Sequence, residues 1–337
     1  MTLQIRADTV TVHPERTFTI ARGSSDAFDN VVLTVSEAGH TGRGLAAPSG
    51  RYGQDARGVL EALESVEIRD PWDLRGTLMA NAHLPSSALC ALDSALHDLA
   101  ARRLGVPVYR LLGLTGPRPT TSYTLGIDEP EATLDRAREL SRYPVLKVKV
   151  GGARDIETVR EVVRETGAEV WVDANEAFAP DEAAEAVREL AGAGVVMIEQ
   201  PVPAGAGPEA FGRAAGASGG VPVIADESAL VAADVPPLAG YADGVNVKLS
   251  KCGGIRGALE MIHTARAHGM RVMLGCMVEA SLGIAAATQV SGLVDYVDLD
   301  GALLLADDPF EGLEYEGAKI TVPDRPGLGV DPVPEGS

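Results

Sequence analysis

VLKVKV at 145–150, VWVD at 170–173, VVMIE at 195–199, PVIAD at 222–226 and GVNVK at 244–248 share one pattern: a short apolar run that meets a charged residue. The polar ends Lys149, Asp173, Glu199, Asp226 and Lys248 fall 24, 26, 27 and 22 residues apart. A repeat of about 25 residues holds one strand, one helix and two loops. Further strands are expected at 122–126, 271–275 and 296–299, making eight in all, with helices at 154–166 and 180–193 among the connections. Eight βα units fit a closed parallel barrel better than an open doubly wound sheet, and no GxGxxG follows a strand to mark a dinucleotide site.

Outward from this core the texture changes. Residues 1 to about 60 carry short alternating segments at 10–12, 18–20 and 30–35, separated by Gly- and Pro-containing stretches such as GHTGRG and APSGRYG. They read as a small antiparallel sheet with a glycine-rich loop. The stretch SSALCALDSALHDLAARRLG (86–105) has helical apolar spacing and a stop at Gly105. The tail from about 307 is rich in Gly, Pro and acids with one strand-like run, 318–322, and is expected to pack on the N-terminal part.

Composition narrows the function. The 337 residues are 45% hydrophobic and 23% charged, enough for a large folded core. A net charge of −19 argues against nucleic acid or an anionic membrane as partner. Cys90, Cys252 and Cys276 have neither disulfide-framework nor zinc-site spacing, which fits a reducing compartment. The opening MTLQIRADTVTV lacks the order of a signal peptide and no run of about 18 apolar residues occurs, so the expectation is a soluble cytoplasmic protein.

In a parallel barrel the C-terminal strand ends converge on one mouth. Asp173, Glu199 and Asp226 would meet there, and three converging carboxylates repel one another unless a cation neutralises them; hard oxygen ligands suit Mg²⁺ or Mn²⁺. A single acid at such a position would more simply cap a loop or pair with an arginine. Lys147 and Lys149 alternate, so they share one face of their strand, and Lys248 ends a strand on the far side of the acids. Two ammonium groups flanking a metal can remove a proton from one face of a carbon acid and return one to the other. For that work a lysine is expected to have its proton affinity lowered by the cation and by a neighbour such as Lys147.

The fragments DSALHDLAARRLGVPVYRLLG, TSYTLGID, LKVKVGG, VWVDANEAF, IEQPV, IADES, VNVKLSKCGG and GCMVEASLGIAAA, in this order, resemble the muconate lactonizing subgroup of the enolase superfamily over nearly the whole chain. The resemblance implies an α/β fold, a (β/α)7β modified TIM barrel (116–306) under an α+β N-terminal capping domain (1–115) that the tail 307–337 completes. It also implies one Mg²⁺ on Asp173, Glu199 and Asp226, Lys149 and Lys248 as the acid/base pair, and a homo-oligomer. DLDGALLLADDPF adds Asp298 and Asp300, an Asp-X-Asp that looks like the site where dipeptide epimerases bind the substrate's terminal amine. Arg22 in TIARGSS resembles the cap arginine that contacts an acidic side chain in Ala-Glu-type epimerases. Lys147 and Thr124 complete the substrate-facing set, with Asn175, Glu227 and Glu279 behind it, while Ser25, Arg51 and Tyr52 stand near the same lid. Leu45 departs from the acidic residue many members carry.

The expected activity is epimerisation of the C-terminal residue of a dipeptide such as L-Ala-L-Glu by two-base proton transfer through an enediolate. An o-succinylbenzoate synthase or muconate-type cycloisomerase would use the same barrel, but its anionic substrates would be repelled by Asp298 and Asp300. A non-enzymatic metal-binding scaffold would leave the lysines without purpose. His97 and His263 read as core or surface residues, and Lys251 with Gly253 and Gly254 as part of a βα turn.

Overall fold

The computed structural model describes residues 3–334. An antiparallel sheet opens the chain: β1 (Gln4–Val12), a hairpin of β2 (Phe18–Ile20) and β3 (Gly23–Ser25) set apart from it, then β4 (Phe28–Glu37) and β5 (His40–Ala46), with sheet order β1-β4-β5. Three helices follow, α1 (Ala56–Glu64), α2 (Leu74–Ala80) and α3 (Ser86–Leu104). Gly105, at φ 68°, ends α3 in the left-handed conformation that a residue without Cβ adopts freely.

The GHTGRG stretch is a strand and not the loop its glycines imply. α3 lies directly on β5, and a Cβ at Gly42 or Gly44 would stand 2.2 Å from the Ala95 carbonyl oxygen or 2.0 Å from that of Ala91. The glycines are there to let helix and strand backbones approach, which a propensity reading mistakes for punctuation. Ala88, Ala91 and Ala95 keep the helix side of this contact equally thin, and Leu92, Leu96 and Leu99 are buried with Val31, Leu33 and Val35 in one cluster.

Eight parallel strands form the second unit: β6 (Tyr123–Leu125), β7 (Val145–Lys149), β8 (Glu169–Asp173), β9 (Met197–Glu199), β10 (Val223–Ala225), β11 (Gly244–Lys248), β12 (Arg271–Gly275) and β13 (Tyr296–Asp298), paired in that order. The Ser122 N–H donates to the Val297 carbonyl at 3.1 Å and joins the first strand to the last. Several ends are shorter than the apolar runs that signalled them; β9 begins at Met197, and Asp226 lies just past β10. Helices Ile156–Thr166 and Ala183–Gly192 start two and three residues later than expected.

Period-two alternation sorts the interior into layers. Trp171, Met197, Ile224 and Met273 fill the floor, with Val145 and Tyr296 against them. Two residues further along the same strands stand Asp173, Glu199, Asp226, Gly275 and Asp298. The register pairs Lys149 with Asp173 and Asp173 with Glu199, and Lys248 with Gly275 and Gly275 with Asp298; Glu199 pairs with Ile224, so Asp226 stands two residues further along the chain.

The tail carries a strand at Lys319–Thr321 paired to Glu314–Glu316. Its fastening is Asp98 on α3, which is buried and accepts from Leu328 N at 2.7 Å, Arg43 N at 2.8 Å and Arg102 Nε at 3.0 Å.

Candidate active site

A cavity of about 410 Å³ lies over the barrel mouth. Lys147, Lys149, Lys248, Asp226, Asp298, Asp300, Thr124, Asn175 and Glu227 line it from the barrel, and Arg22, Ser25, Arg51 and Tyr52 from the first unit. Asp173 and Glu199 sit beneath, fully buried.

The acids and lysines form a continuous network. Lys149 Nζ donates to Asp173 Oδ2 at 2.6 Å, and Lys147 Nζ stands 3.1 Å from that same oxygen. Lys147 also reaches Glu199 and Asp298, each at 2.7 Å. Across the mouth Lys248 Nζ donates to Asp226 Oδ2 at 2.9 Å. Gly275 makes room for it, since a Cβ there would stand 3.0 Å from Lys248 Cε and 2.6 Å from Asn246 Oδ1.

Burial works against charge on Asp173, but Lys147 and Lys149 outweigh it and hold its carboxyl below the usual range. Glu199 goes the other way: burial and then Asp173 push it up to about 7. Asp300 is likewise pushed up to about 7, by burial and by Asp298. Asp298 falls below its ordinary value because Lys147 and Ser122, whose hydroxyl donates at 2.6 Å, overcome its burial. Lys248 is governed by the acids beside it. Burial favours its neutral form, yet Asp226 and Glu199 hold it well above the ordinary lysine range.

These shifts bear on whether the residues suit a divalent cation. Asp173, Glu199, Asp226, Glu227, Asp298 and Asp300 face the ammonium groups of Lys147, Lys149, Lys248 and Lys251 and the Arg22 guanidinium on Glu227, so carboxylates are still in excess. Glu199 Oε2 has Lys147 Nζ beside it at 2.7 Å, whereas Asn175 Oδ1, Glu227 Oε2 and Asn246 Oδ1 are buried without a hydrogen-bond partner. Among the described residues no three acids are gathered tightly enough to enclose an ion as they stand. The lysines draw Asp173 and Asp226 to opposite sides. The surplus of hard oxygens, with the unpartnered oxygens of Asn175, Glu227 and Asn246 among them, fits Mg²⁺.

The remaining expected residues fall in distinct places. The Thr124 N–H donates to Asp300 Oδ2 at 2.6 Å, so its backbone serves as well as its side chain. Arg22 faces the cavity, with Nη1 held by the Asn175 carbonyl at 3.0 Å and by Glu227 at 2.9 Å. Asn175 donates weakly to Glu227 at 3.3 Å. Glu279 is buried outside the cavity wall, and burial pushes it up to about 7. Leu45 packs in the core beneath, where Gly283 would bring a Cβ within 3.1 Å of it. His97 is a core residue bonded to the Asp93 carbonyl.

Two residues of the network are not evident from sequence. Lys251 belongs to no simple turn: its fully buried ammonium meets Asp226 Oδ1 at 2.5 Å and the carbonyls of Asp226, Asn246 and Ala229. Glu176 meets Arg51 through both carboxylate oxygens at 2.8 Å. The signal available for Lys251 was its three-residue spacing from Lys248; none marked Glu176.

Residues 2–113 match the mandelate racemase/muconate lactonizing enzyme N-terminal domain, and residues 131–336 the enolase C-terminal domain-like family. The L-Ala-D/L-Glu epimerase of Bacteroides thetaiotaomicron is 38% identical over 93% of this chain and 84% of its own. A hydrophobic dipeptide epimerase of Roseobacter litoralis is 38% identical over 92% and 93%. Among solved structures, the dipeptide epimerase of Methylococcus capsulatus, complexed with Mg and L-Arg-D-Lys, superposes with a TM-score of 0.90 at 33% identity, covering 98% of this chain and 99% of that one.

Proposed function

The chain belongs to the mandelate racemase/muconate lactonizing enzyme family, and from that premise we propose that it is a Mg²⁺-dependent dipeptide epimerase, inverting the α-carbon of the C-terminal residue of a dipeptide such as L-Ala-L-Glu. The observation that carries this reading is that Lys149 and Lys248 end strands flanking β8–β10, which bring Asp173, Glu199 and Asp226, and that both lysines line one cavity with Asp298 and Asp300.

Asp173, Glu199 and Asp226 would hold the cation, Mg²⁺ or alternatively Mn²⁺. When bound it supplies the positive charge that makes the α-carbon beside the substrate carboxylate acidic. Lys149 then takes the α-proton of one epimer and Lys248 delivers a proton to the opposite face; the roles reverse for the other epimer. Lys147 keeps Asp173 and Asp298 charged. Asp300, pushed up to about 7 by burial and by Asp298, lacks a close cationic partner, which supports a substrate ammonium beside it. An anionic cycloisomerase substrate would add charge where carboxylates are already in excess. We read 1–115 with the tail 307–337 as the capping unit, 116–306 as the catalytic unit, and the chain as a cytoplasmic homo-oligomer. No described helix is long and apolar enough to cross a membrane.

Proton NMR of L-Ala-L-Glu and a dipeptide panel in D₂O with enzyme and Mg²⁺ tests the proposal. Loss of the C-terminal α-proton signal with appearance of the L,D epimer is expected. Lys149→Ala should abolish exchange of one epimer and Lys248→Ala that of the other. A double variant that still exchanged both would overturn the assignment.

A further inference from the structure

Asn175 and Glu176, just past β8, both have left-handed backbone, at φ 43° and 71°. Non-glycine residues rarely adopt this region, and two in succession persist only where surrounding contacts fix them. Here those contacts are in place: Glu176 N donates to the Gln200 carbonyl at 2.9 Å, and Glu176 Oε1 accepts from Ala204 N at 2.8 Å. The strained turn aims one carboxylate at two separate segments of the cap. Arg51, in the turn Gly50–Tyr52, binds both of its oxygens at 2.8 Å; Arg22, between β2 and β3, stands 3.3 Å from Oε2.

We propose that Glu176 is a positioning residue that fastens both cap segments over the cavity, one barrel carboxylate serving two guanidinium groups. The inference rests on the epimerase reading for its consequence but not for its geometry. The β2–β3 hairpin has a second tie at its base, where Ile127 N donates to the Thr19 carbonyl at 2.9 Å. At the tip, Arg22 Nη1 also meets Glu227 at 2.9 Å and the Asn175 carbonyl at 3.0 Å, so Glu176 shares the hold on this segment and is the principal tie of the Arg51 segment. Among the described residues, the contacts of Arg22 with protein all run through Nη1. Held this way, Arg22 leaves its other N–H groups free for the cavity it lines, so Glu176, together with Glu227 and the Asn175 carbonyl, sets the direction from which a substrate side chain meets positive charge. Arg51 closes the other side, against Tyr52.

Glu176→Gln keeps the size of the side chain and removes the charge. Hydrogen exchange on the chain without substrate should show segment 49–54 exchanging at least about fivefold faster and segment 20–26, which keeps the Glu227 and Asn175 contacts, faster by a smaller factor, while β8 is unchanged. KM for L-Ala-L-Glu should rise about tenfold with kcat within about threefold, because the lysines are untouched. Arg51→Gln should loosen 49–54 alike, and the double variant should be no worse than the more affected single one. Unchanged exchange of both segments in Glu176→Gln would overturn the proposal, as would a fall in kcat with KM unaltered. If the wild-type protein turned over no dipeptide, the epimerase reading would fail while the exchange data would still decide the fastening.

Discussion

Gly44→Ala places a methyl group against the backbone of α3. The Cβ would stand 2.0 Å from the Ala91 carbonyl oxygen and 2.7 Å from Ala95 N. Ordinary contact lies near 3.5 Å, so helix and strand must part by roughly 1.5 Å or the strand must tilt. No side chain can rotate away, because the obstructing atoms are main chain. Overpacking of this kind costs about 1–3 kcal/mol, and the rigid partner puts this case near 3. For a chain of this size that is roughly 4–6 °C in Tm. Gly192→Ala is the control: nothing lies within 4 Å of its Cβ at the end of a helix, and a gain of about 0.5–1 kcal/mol is expected. Urea and thermal denaturation followed by circular dichroism measure both. Gly44→Ala as stable as the parent, beside a normal control, would refute the view that β5 is glycine-rich because α3 rests on it.

Three further perturbations test other contacts. Gly275→Ala should cut epimerisation severely with modest loss of stability, since the added carbon would crowd the Lys248 Cε and Asn246 amide; steady-state kinetics beside a melting curve separate the two effects. His97 is held above its ordinary value because Asp93 outweighs its burial, so its stabilising contribution is complete below about pH 6.5 and is lost as pH rises through the folded-state value. The Tm gap between the parent and His97→Gln should therefore be widest in mildly acidic buffer and shrink with rising pH. Lys251→Met should free Asp226 of one competing ammonium and raise the affinity for Mg²⁺, read by titration calorimetry; unchanged affinity would make Lys251 a packing residue only.

The barrel was legible because each strand combines a buried apolar face with a functional end, and the two signals reinforce each other at Asp173, Glu199 and Lys248. The sheet beneath α3 was less so. Gly42 and Gly44 serve a tertiary contact with a helix some fifty residues away in sequence, and nothing local distinguishes that purpose from a turn. Lys251 was hidden for a related reason: its four acceptors are backbone carbonyls and one carboxylate that only the folded loops bring together. The alternation of Lys147 and Lys149 was readable as one face of a strand, whereas the pairing of Lys248 with Asp226 needs two strands side by side and no local pattern encodes it.

The Asp98 fastening sets an order of events during synthesis. Its acceptor oxygens wait for Leu328, 230 positions later in the chain. At about 5–20 residues per second, the ribosome delivers that donor roughly 10–50 seconds after Asp98 itself. Through that interval the buried carboxylate can be met by Arg43 and Arg102 but not by the tail, and the first unit must remain soluble while incomplete. Closure of the segment around Leu328 onto α3 is therefore a late event, possible only after the whole barrel between the two has been synthesised.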